Sequence, residues 1–548
     1  MTQSFNHTFL TLSRSLRAGG LALLLSLASC EVDRLPETAI SDDVFWRTEA
    51  DLKQAANYLY GWMPNFTAED VWSDDAFGLS SHPISDGSRL PPATDLGGYN
   101  EPYRLIRAAN NIIEKAPRAT AAGTAVIERY TAEARFFRAL GYFQLVRRYG
   151  DVPLILKTLT DESPELQAAA APREQVIDQI YADLDYAAPR LPTATALGNA
   201  DYGRISNTGA LAFKARVALF EGTRAKFHTY GTPGKHLTAA VAAAKAVIDS
   251  RQHDLFANYF NLYQYEGEGR QNRENILVRQ FGVSATDRVS THGFYRGTLE
   301  NGNMNPTKAL ADAYLMRDGL PIDKSPLYKA PTATIEIFAN RDTRMSDTFM
   351  KRGDPMMATK PVFDVANLAF NKTGYMFRKF ANIDDWNTQA SRIDYPTLRY
   401  GEVLVTYAEA VFELNGQISD ADLDLSVNRL RARGGVARLS NAFVAANGLS
   451  MRDEIRRERR VELAMEGFRY WDLIRWKTAE IELPKPVLGI FFFRSEWPPA
   501  TVATTPEGFI LAQAASFRKF NPARDYLFPL PINEIGLNPA LKQNPGWQ

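Results

Sequence analysis

The chain has 548 residues, of which 63 are lysine or arginine and 63 are aspartate or glutamate, so its formal net charge is zero. A chain of this length can bury a large core, and length alone would allow several average domains. Because no basic arm or stripe accompanies the balanced charge, nucleic acid is not expected as a partner. Aromatic residues make up 11% of the chain, enough both for a core and for a ligand-stacking surface.

The N-terminus has the pattern of a bacterial lipoprotein signal. Arg14 and Arg17 precede the apolar run 21–27, and residues 27–30 read Leu-Ala-Ser-Cys, the order of a lipobox. The apolar run is too short to span a bilayer as a stable helix. We therefore expect residues 1–29 to be a signal peptide and Cys30 to become the lipidated first residue of the mature chain. The alternatives are a buried core cysteine or a signal peptide cut elsewhere.

The first helix is predicted from its start signal. Thr48 and Asp51 have the spacing of a capping box, with Asp in the usual Glu position, and the helix should run to about Met63. Residues 64–98 are rich in Gly, Pro, Ser and Asp, which predicts a long loop that is either functional or disordered.

Amphipathic helices follow the loop. In residues 133–150, Phe136, Leu140 and Phe143 recur at helical spacing. Similar patterns predict helices between Pro172 and Pro189 and at about 207–226, 236–249, 398–415 and 420–433. Adjacent helix pairs suggest tetratricopeptide-like repeats, although no strict period of about 34 residues is present. Residues 251–396 and 480–520 are irregular apart from a predicted strand at 276–281.

One block near the C-terminus has an unusual composition. Residues 455–476 read IRRERRVELAMEGFRYWDLIRW, which predicts two helices separated at Gly467. In the first helix, Asp453 has the spacing to pair with Arg456 and Arg457. The second helix is apolar over a broad arc and should be largely buried.

This block resembles the Arg-Arg-Glu-Arg-x-x-Glu-Leu-x-x-Glu-Gly-x-Arg-x-x-Asp-Leu-x-Arg-Trp signature of the SusD/RagB outer-membrane nutrient-binding lipoproteins. Other stretches that resemble the family are 99–110, 135–140, 149–154, 399–410, 427–431 and 528–547. The resemblance covers nearly the whole mature chain, with loops as its gaps. It implies a mainly α fold, a superhelix of tetratricopeptide-like helix pairs with irregular, loop-rich insertions. An N-terminal SusD-like part would span about 30–230 and a C-terminal part about 270–548.

The resemblance also implies a role. Family members capture a nutrient, most often a glycan, and deliver it to a SusC-like TonB-dependent transporter on which they sit as a lid. The protein would be anchored by lipid to the outer membrane and face the exterior, and the early acids Glu31 and Asp33 resemble a signal for that face. The alternatives are the same role for peptides or another non-sugar cargo, a surface glycoside hydrolase, or a purely structural subunit of the transporter.

Capture of a sugar or peptide requires flat aromatic faces with a few polar groups beside them, placed on loops of a rigid scaffold. Tyr99 stands where the family commonly has tryptophan, so the resemblance implies a ligand contact there, and Asn100 follows it. Trp72, Tyr295 and Trp386 are further candidates because they lie in the two irregular regions. The charges of the signature itself are expected to be architectural.

No catalytic residue, cofactor or metal ligand is predicted. The glycine-rich stretches lack the residues of a dinucleotide or phosphate loop, and the five histidines after Cys30 form no compact zinc motif. A calcium site needs several convergent oxygen ligands, and no EF-hand spacing is present. The acid pairs Asp74-Asp75 and Asp384-Asp385 are expected to be solvated loop acids rather than the spaced carboxylates of a glycosidase.

Overall fold

The computed structural model describes residue 42 and residues 44–66, 68–282, 302–357, 360–388, 391–498 and 500–548. Within these ranges the chain forms 18 α-helices and eight short β-strands, so the predicted mainly α class is confirmed. None of the helices in the described ranges is long and apolar enough to cross a bilayer.

Seven helices form the first half of the chain: α1 (Glu49–Leu59), α2 (Pro83–Asp86), α3 (Glu101–Lys115), α4 (Thr124–Tyr149), α5 (Arg173–Ala187), α6 (Asn207–His228) and α7 (Pro233–Asp249). The predicted capping box opens α1: the Thr48 hydroxyl accepts from the Asp51 amide, and the Asp51 carboxylate accepts from the Thr48 amide. Helix α4 begins earlier than the predicted start near residue 133. The sequence does not predict its first turns, because they are half exposed and carry a weaker apolar pattern.

Eleven helices follow: α8 (Lys308–Ala313), α9 (Thr343–Thr348), α10 (Ile383–Thr388), α11 (Tyr400–Asn415), α12 (Asp420–Leu425), α13 (Val427–Arg433), α14 (Asn441–Ala446), α15 (Met451–Glu462), α16 (Arg469–Arg475), α17 (Ala479–Glu482) and α18 (Ile532–Leu537). The helix predicted at 420–433 is therefore two helices. They are separated at Ser426, whose backbone is not helical (φ −127°, ψ −100°).

The helices pack in sequence order. Helix α3 packs on α4, α4 on α5, α5 on α6 and α6 on α7, and α11 then packs against α6, α7 and α15. Each helix therefore buries its apolar stripe against its neighbours in the chain, as in a tetratricopeptide-like array. The predicted helix-pair superhelix is confirmed, and its far end is completed by helices from the C-terminal half.

The strands form four two-stranded antiparallel pairs. They are β1 (Ala76–Phe77) with β3 (Asn305–Pro306), β2 (Asn275–Arg279) with β6 (Tyr395–Arg399), β4 (Pro355–Met357) with β5 (Lys360–Val362), and β7 (Val487–Phe491) with β8 (Phe509–Gln513). Strand β2 corresponds to the predicted strand. In the β2–β6 pair, Val278 lies opposite Pro396, which joins segments more than a hundred residues apart.

Two hydrophobic cores meet at α15. The larger core fills the helical array, and the smaller, aromatic-rich core fills the irregular region around residues 259–395 and 490–510. Ile455 of α15 and Leu463 belong to the larger core, whereas Val461, Ala464 and Met465 belong to the smaller one. The charged block predicted to be architectural thus lies at the junction between them.

Candidate functional site

The charged block forms a helix, a tight turn and a second helix. Helix α15 ends at Glu462 and α16 begins at Arg469, with Met465 (φ 61°) and Gly467 (φ 78°) in the left-handed region between them. The predicted break at Gly467 is confirmed. The Gly467 amide donates to the Asp70 carboxylate at 2.9 Å, which fixes the turn to the segment before β1.

The acids of α15 and of the turn after it lie in a buried network of ion pairs. Arg344 donates to Glu458 at 2.7 Å and to Glu462 at 2.9 Å, and Arg399 donates to Glu462 at 2.5 Å and to Glu466 at 2.8 Å. Burial disfavours ionisation of Glu462, but its arginine neighbours hold its pKa well below the usual range. Other members of the network are Glu274, Asp342, Lys379, Arg431, Arg433 and Glu454. These charges hold the two cores together, in agreement with an architectural role.

Within α15, the predicted pairing of Asp453 with Arg456 and Arg457 is wrong. Arg457 donates to Glu454 at 3.3 Å. Arg456 instead lies 4.8 Å from the ring centre of Phe227 and 4.5 Å from that of Trp476. The aromatic rings draw the guanidinium toward the helical array, where it is partly desolvated.

Asp75 is buried and the Asp74 side chain is only 10% exposed, so the expectation of solvated loop acids is wrong for this pair. Asp74 accepts from Arg469 at 2.8 Å and from Arg460 at 3.0 Å, and Asp75 accepts from Arg460 at 2.7 Å. Burial opposes ionisation of Asp74, yet Arg460 and Arg469 hold its pKa below the usual range. Both acids therefore dock the loop on the charged block, and neither is placed as a catalytic acid.

The pair Asp384-Asp385 is divided between surface and interior. Asp384 is exposed, but Asp385 is buried and accepts from the Tyr265 hydroxyl at 2.5 Å and from the Ser391 hydroxyl at 2.6 Å. The prediction of a solvated acid is therefore wrong for Asp385, because its carboxylate accepts hydrogen bonds from two hydroxyl groups inside the protein.

A cleft of about 570 Å³ brings together Tyr99 and Asn100, two of the predicted ligand residues. It lies between the start of α3, the segment 153–167 and the C-terminal helix α18. The Asn100 amide donates to the Glu534 carboxylate at 2.7 Å, which connects α3 to α18 across the cleft. The cleft therefore depends on three segments that are far apart in the sequence.

Tyr99 forms part of the wall of this cleft, with most of its ring covered. The side chain is 4% exposed, and its ring lies 5.1 Å from that of Tyr103 and 5.4 Å from that of Tyr149. Burial, reinforced by the charge of Glu534, raises the pKa of Tyr99 to about 12, so the hydroxyl is neutral at physiological pH. Tyr99 thus lines the cleft with little of its surface exposed, and a broad stacking face is not open.

The rim of the cleft supplies more exposed groups. Leu166 is 46% and Leu537 72% exposed, and both line the opening. Arg107 donates to the Leu159 carbonyl at 2.7 Å, and Lys157 pairs with Glu165 at 2.6 Å. Hydrophobic side chains beside charged ones provide the kind of lining that small-ligand sites use. Sequence reasoning missed these residues, because nothing in the chain indicates that segment 153–167 meets α18.

Trp72 contributes to an aromatic cluster and does not line the Tyr99 cleft. Its ring lies 5.7 Å from Tyr470, 6.4 Å from Trp471 and 6.0 Å from Phe528. The Arg148 guanidinium lies 5.6 Å from the ring centre. Trp72 therefore packs against the second helix of the charged block and is half-buried.

The remaining predicted residues are not brought to the cleft. Trp386 is 1% exposed in the smaller core, so the prediction that it stacks on a ligand is wrong: neither ring face is open to solvent. Tyr295 and Cys30 lie outside the described residues. In the part of the chain that the structure describes, no group of three or more His, Cys, Asp or Glu side chains is placed to hold a metal ion.

Comparisons with known proteins identify the family. The model of the SusD family matches residues 273–547, and a model described as starch-binding and associating with the outer membrane matches residues 42–219. SusD-like protein P38 of Formosa agariphila is 27% identical over 511 residues, which cover 87% of this chain and 94% of that protein.

Solved structures share the fold. A SusD-like carbohydrate-binding protein from Bacteroides fragilis is 24% identical with a TM-score of 0.72, over 91% of this chain and all of that one (100%). Surface glycan-binding protein A from Bacteroides uniformis is 18% identical with a TM-score of 0.65, over 91% and 99% of the two chains. With one family model matching half of the chain and a second covering its N-terminal helices, this protein belongs to the SusD family.

Proposed function

We propose that the protein is a cell-surface lipoprotein that captures a glycan and passes it to a SusC-like TonB-dependent transporter. Membership of the SusD family supports glycan binding at the outer membrane. The observation that carries the proposal is the cleft of about 570 Å³ to which both Tyr99 and Asn100 contribute. Cys30 would hold the lipid anchor, because several acyl chains on one residue give stable membrane attachment.

The cleft has the chemistry to hold a short stretch of glycan. Apolar side chains at its rim can cover the apolar faces of sugar rings, and amides and charged groups can bond to hydroxyls. Asn110 is fully buried and fixes the cleft wall, since its amide donates to the carbonyls of Ile155 and Lys157, each at 3.1 Å. The wall is therefore formed before any ligand arrives, which lowers the entropic cost of binding.

The proposed activity is binding and transfer, without bond cleavage. A glycosidase needs a protonated carboxyl and a second carboxylate at a defined separation in an open site. Asp74 and Asp75 are instead tied to Arg460 and Arg469, and Asp385 is buried under two hydroxyl donors. These contacts support a binding protein over a hydrolase.

The test is affinity electrophoresis of the mature protein in native gels that contain a panel of soluble polysaccharides. We expect one polysaccharide to retard the wild type and to retard Asn100→Ala and Tyr99→Phe clearly less. These changes remove the amide of Asn100 or the hydroxyl of Tyr99 from the cleft and leave its aromatic rings in place. Tyr58→Ala is the matched control, because Tyr58 is 66% exposed on α1 and does not line the cleft.

Three outcomes separate the alternatives. Retardation that only Tyr58→Ala weakens would place the glycan elsewhere on the surface. No retardation by any polysaccharide would count against a glycan and direct the search to peptide cargo. Release of shorter sugars during incubation would contradict the proposal of binding without cleavage.

A further inference from the structure

A second cleft, of about 480 Å³, lies in the irregular half of the molecule. It is bounded by α8, the segment 322–341 and the β7–β8 pair, and it shares no lining residue with the Tyr99 cleft. Its lining includes four aromatic rings, those of Tyr328, Tyr375, Phe491 and Phe509. This cleft takes no part in the proposed function.

Two of these rings are open to solvent. Tyr328 is 41% exposed and Phe491 is 37% exposed, whereas most large apolar side chains of the surrounding core are buried. Phe509 meets Phe491 edge to face at 5.8 Å, and the Lys308 ammonium lies 4.6 Å from the Phe509 ring centre. Phe509 therefore packs against Phe491, and the most exposed rings of the cleft are those of Phe491 and Tyr328.

The floor of the cleft carries a buried arginine without a carboxylate partner. Arg341 is 7% exposed, and one terminal nitrogen, Nη2, donates to the carbonyls of Ala311 at 2.6 Å and Tyr314 at 2.8 Å. Its Nε is buried and has no hydrogen-bond acceptor, and among the described residues no acid forms an ion pair with it. A buried cation without a counter-ion is costly, which points to an anion supplied from outside.

The nearby acids do not supply that charge. Asp312 pairs with Lys308 one turn away on α8, so the two cancel. At the rim, the Glu336 carboxylate accepts from the Thr332 amide at 2.7 Å, and the exposed Lys329 has the opposite charge. Arg341 is left as the excess charge of the cleft, and burial lowers its pKa without removing the proton.

A hydroxyl group lines the cleft together with this arginine. Tyr375 lines the same floor, is 8% exposed, and its hydroxyl makes no hydrogen bond among the described residues. Burial raises its pKa, and the charge of Asp312 adds to the effect, so the hydroxyl stays neutral and can donate. The floor thus offers a cation and a neutral hydroxyl beneath an aromatic opening.

We propose that this second cleft binds an anionic sugar residue, a uronate or a sulfated sugar, stacked on Phe491 and Tyr328 with its acidic group on Arg341. Flat apolar rings suit the apolar face of a pyranose, and a guanidinium suits a carboxylate or sulfate. The cleft is a site separate from the one in the proposed function, so either site can fail without the other.

The test is isothermal titration of the mature protein with a galacturonic acid trimer, a sulfated galactose disaccharide and neutral maltotriose. We expect one anionic sugar to bind at least about tenfold more tightly than maltotriose, because an arginine–anion hydrogen bond supplies the difference. Added salt should weaken this binding, since charge carries much of it. The two anionic probes distinguish a carboxylate site from a sulfate site.

Variants locate the binding. Phe491→Ala should weaken it about fivefold, and the matched control Phe517→Ala, which alters a ring that is 72% exposed outside the cleft, should leave it unchanged. Arg341→Gln should abolish the preference for the anionic sugar. Arg341 also holds two backbone carbonyls, so a second variant is needed if Arg341→Gln does not fold. Tyr375→Phe, which removes one hydroxyl and keeps the ring, is then measured in its place.

The inference would be overturned if no anionic sugar bound the wild type, or if maltotriose bound as tightly. It would equally be overturned if Phe491→Ala had no effect while Asn100→Ala removed the binding, since the sugar would then lie in the Tyr99 cleft. In either case the proposed function would still be tested by its own gels.

Discussion

Asp74 shows how one buried carboxylate supports the contact between a loop and the charged block. Its oxygens accept from Arg460 and Arg469, and the Asp74 side chain is 10% exposed. Asp74→Asn would keep the shape of the side chain and remove its charge, leaving the largely buried guanidinium groups of Arg460 and Arg469 with Asp75 as their remaining acidic partner. Removing one partner of a buried pair costs about 3–5 kcal/mol. We therefore expect a loss of this size in the free energy of unfolding, measured with urea.

The control for this change is Asp161→Asn, at an exposed loop position. Exposed substitutions of this kind usually change stability by less than about 0.5 kcal/mol. If Asp74→Asn destabilised the protein no more than the control, the ion pairs would not hold the loop, and the charged block would have no structural need for Asp74.

At this scale the sequence was a poor guide, and the reason is separation along the chain. Asp75 and its partner Arg460 are 385 residues apart, so no local spacing could reveal the pairing, and loop acids are ordinarily solvated. Trp386 likewise has no local feature that distinguishes a core ring from a stacking ring. The motif around Tyr99 predicts a ligand contact, yet it does not predict that the ring is covered in the wall of a cleft.

Helices and turns were more predictable, because their signals are local. The capping box at Thr48 and the break at Gly467 both follow from side chains or backbone freedom within a few residues. The break within 420–433 was missed, because the apolar spacing continues across Ser426. The cleft at Tyr99 could not be predicted as an element at all, since it exists only when α3, segment 153–167 and α18 come together.

The turn between α15 and α16 should be sensitive to a single methyl group. Gly467 has φ 78°, a conformation that glycine adopts without strain and alanine does not. Gly467→Ala should therefore destabilise the protein by about 1–2 kcal/mol. The hydrogen bond from the Gly467 amide to the Asp70 carboxylate would also lengthen if the turn shifted. Thermal unfolding followed by circular dichroism measures the change.

The comparison for this prediction is Gly61→Ala. Gly61 lies in a short helical turn, has no positive φ, and an added Cβ would meet no heavy atom within 4 Å. We expect this variant to be neutral or slightly more stable, because alanine reduces the freedom of the unfolded chain. Equal losses in both variants would show that the left-handed turn is not the cause.

For the whole molecule, the β2–β6 pair matters because it joins the end of the helical array to the C-terminal half. The acids Glu268 and Asp394 meet at the end of this pair, where the Asp394 amide donates to the Glu268 carboxylate at 3.0 Å and the Phe281 amide donates to Asp394 at 3.3 Å. Burial raises the pKa of Asp394 to about 8, with the charge of Glu268 adding to it, and burial raises the pKa of Glu268 to about 7. Arg392 lies close enough to oppose both shifts in part.

The sign of the resulting pH dependence follows from proton counting. Between the ordinary carboxyl pKa near 4 and the folded values of about 7 and 8, the folded state binds more protons than the unfolded state. The free energy of unfolding contributed by this pair therefore falls as the pH rises from 5 to 8. This stabilising contribution is fully present only below the carboxyl pKa of the unfolded chain and is lost as the pH rises. Salt-bridged acids such as Asp74, whose folded pKa is lowered, instead lose their contribution as the pH falls.

Asp394→Asn should remove a large part of this dependence, because it deletes the carboxyl with the higher folded pKa and leaves only that of Glu268, which burial still raises. We expect the wild type to lose on the order of 2 kcal/mol more than the variant between pH 5 and pH 8, measured by urea unfolding at matched ionic strength. Asp161→Asn should keep the wild-type slope, since its carboxyl is exposed in a loop. Parallel curves for the wild type and Asp394→Asn would mean that the pair ionises freely in the folded protein. A steeper fall in the wild type and in Asp161→Asn than in Asp394→Asn would show that protons held at this junction stabilise the connection between the two halves.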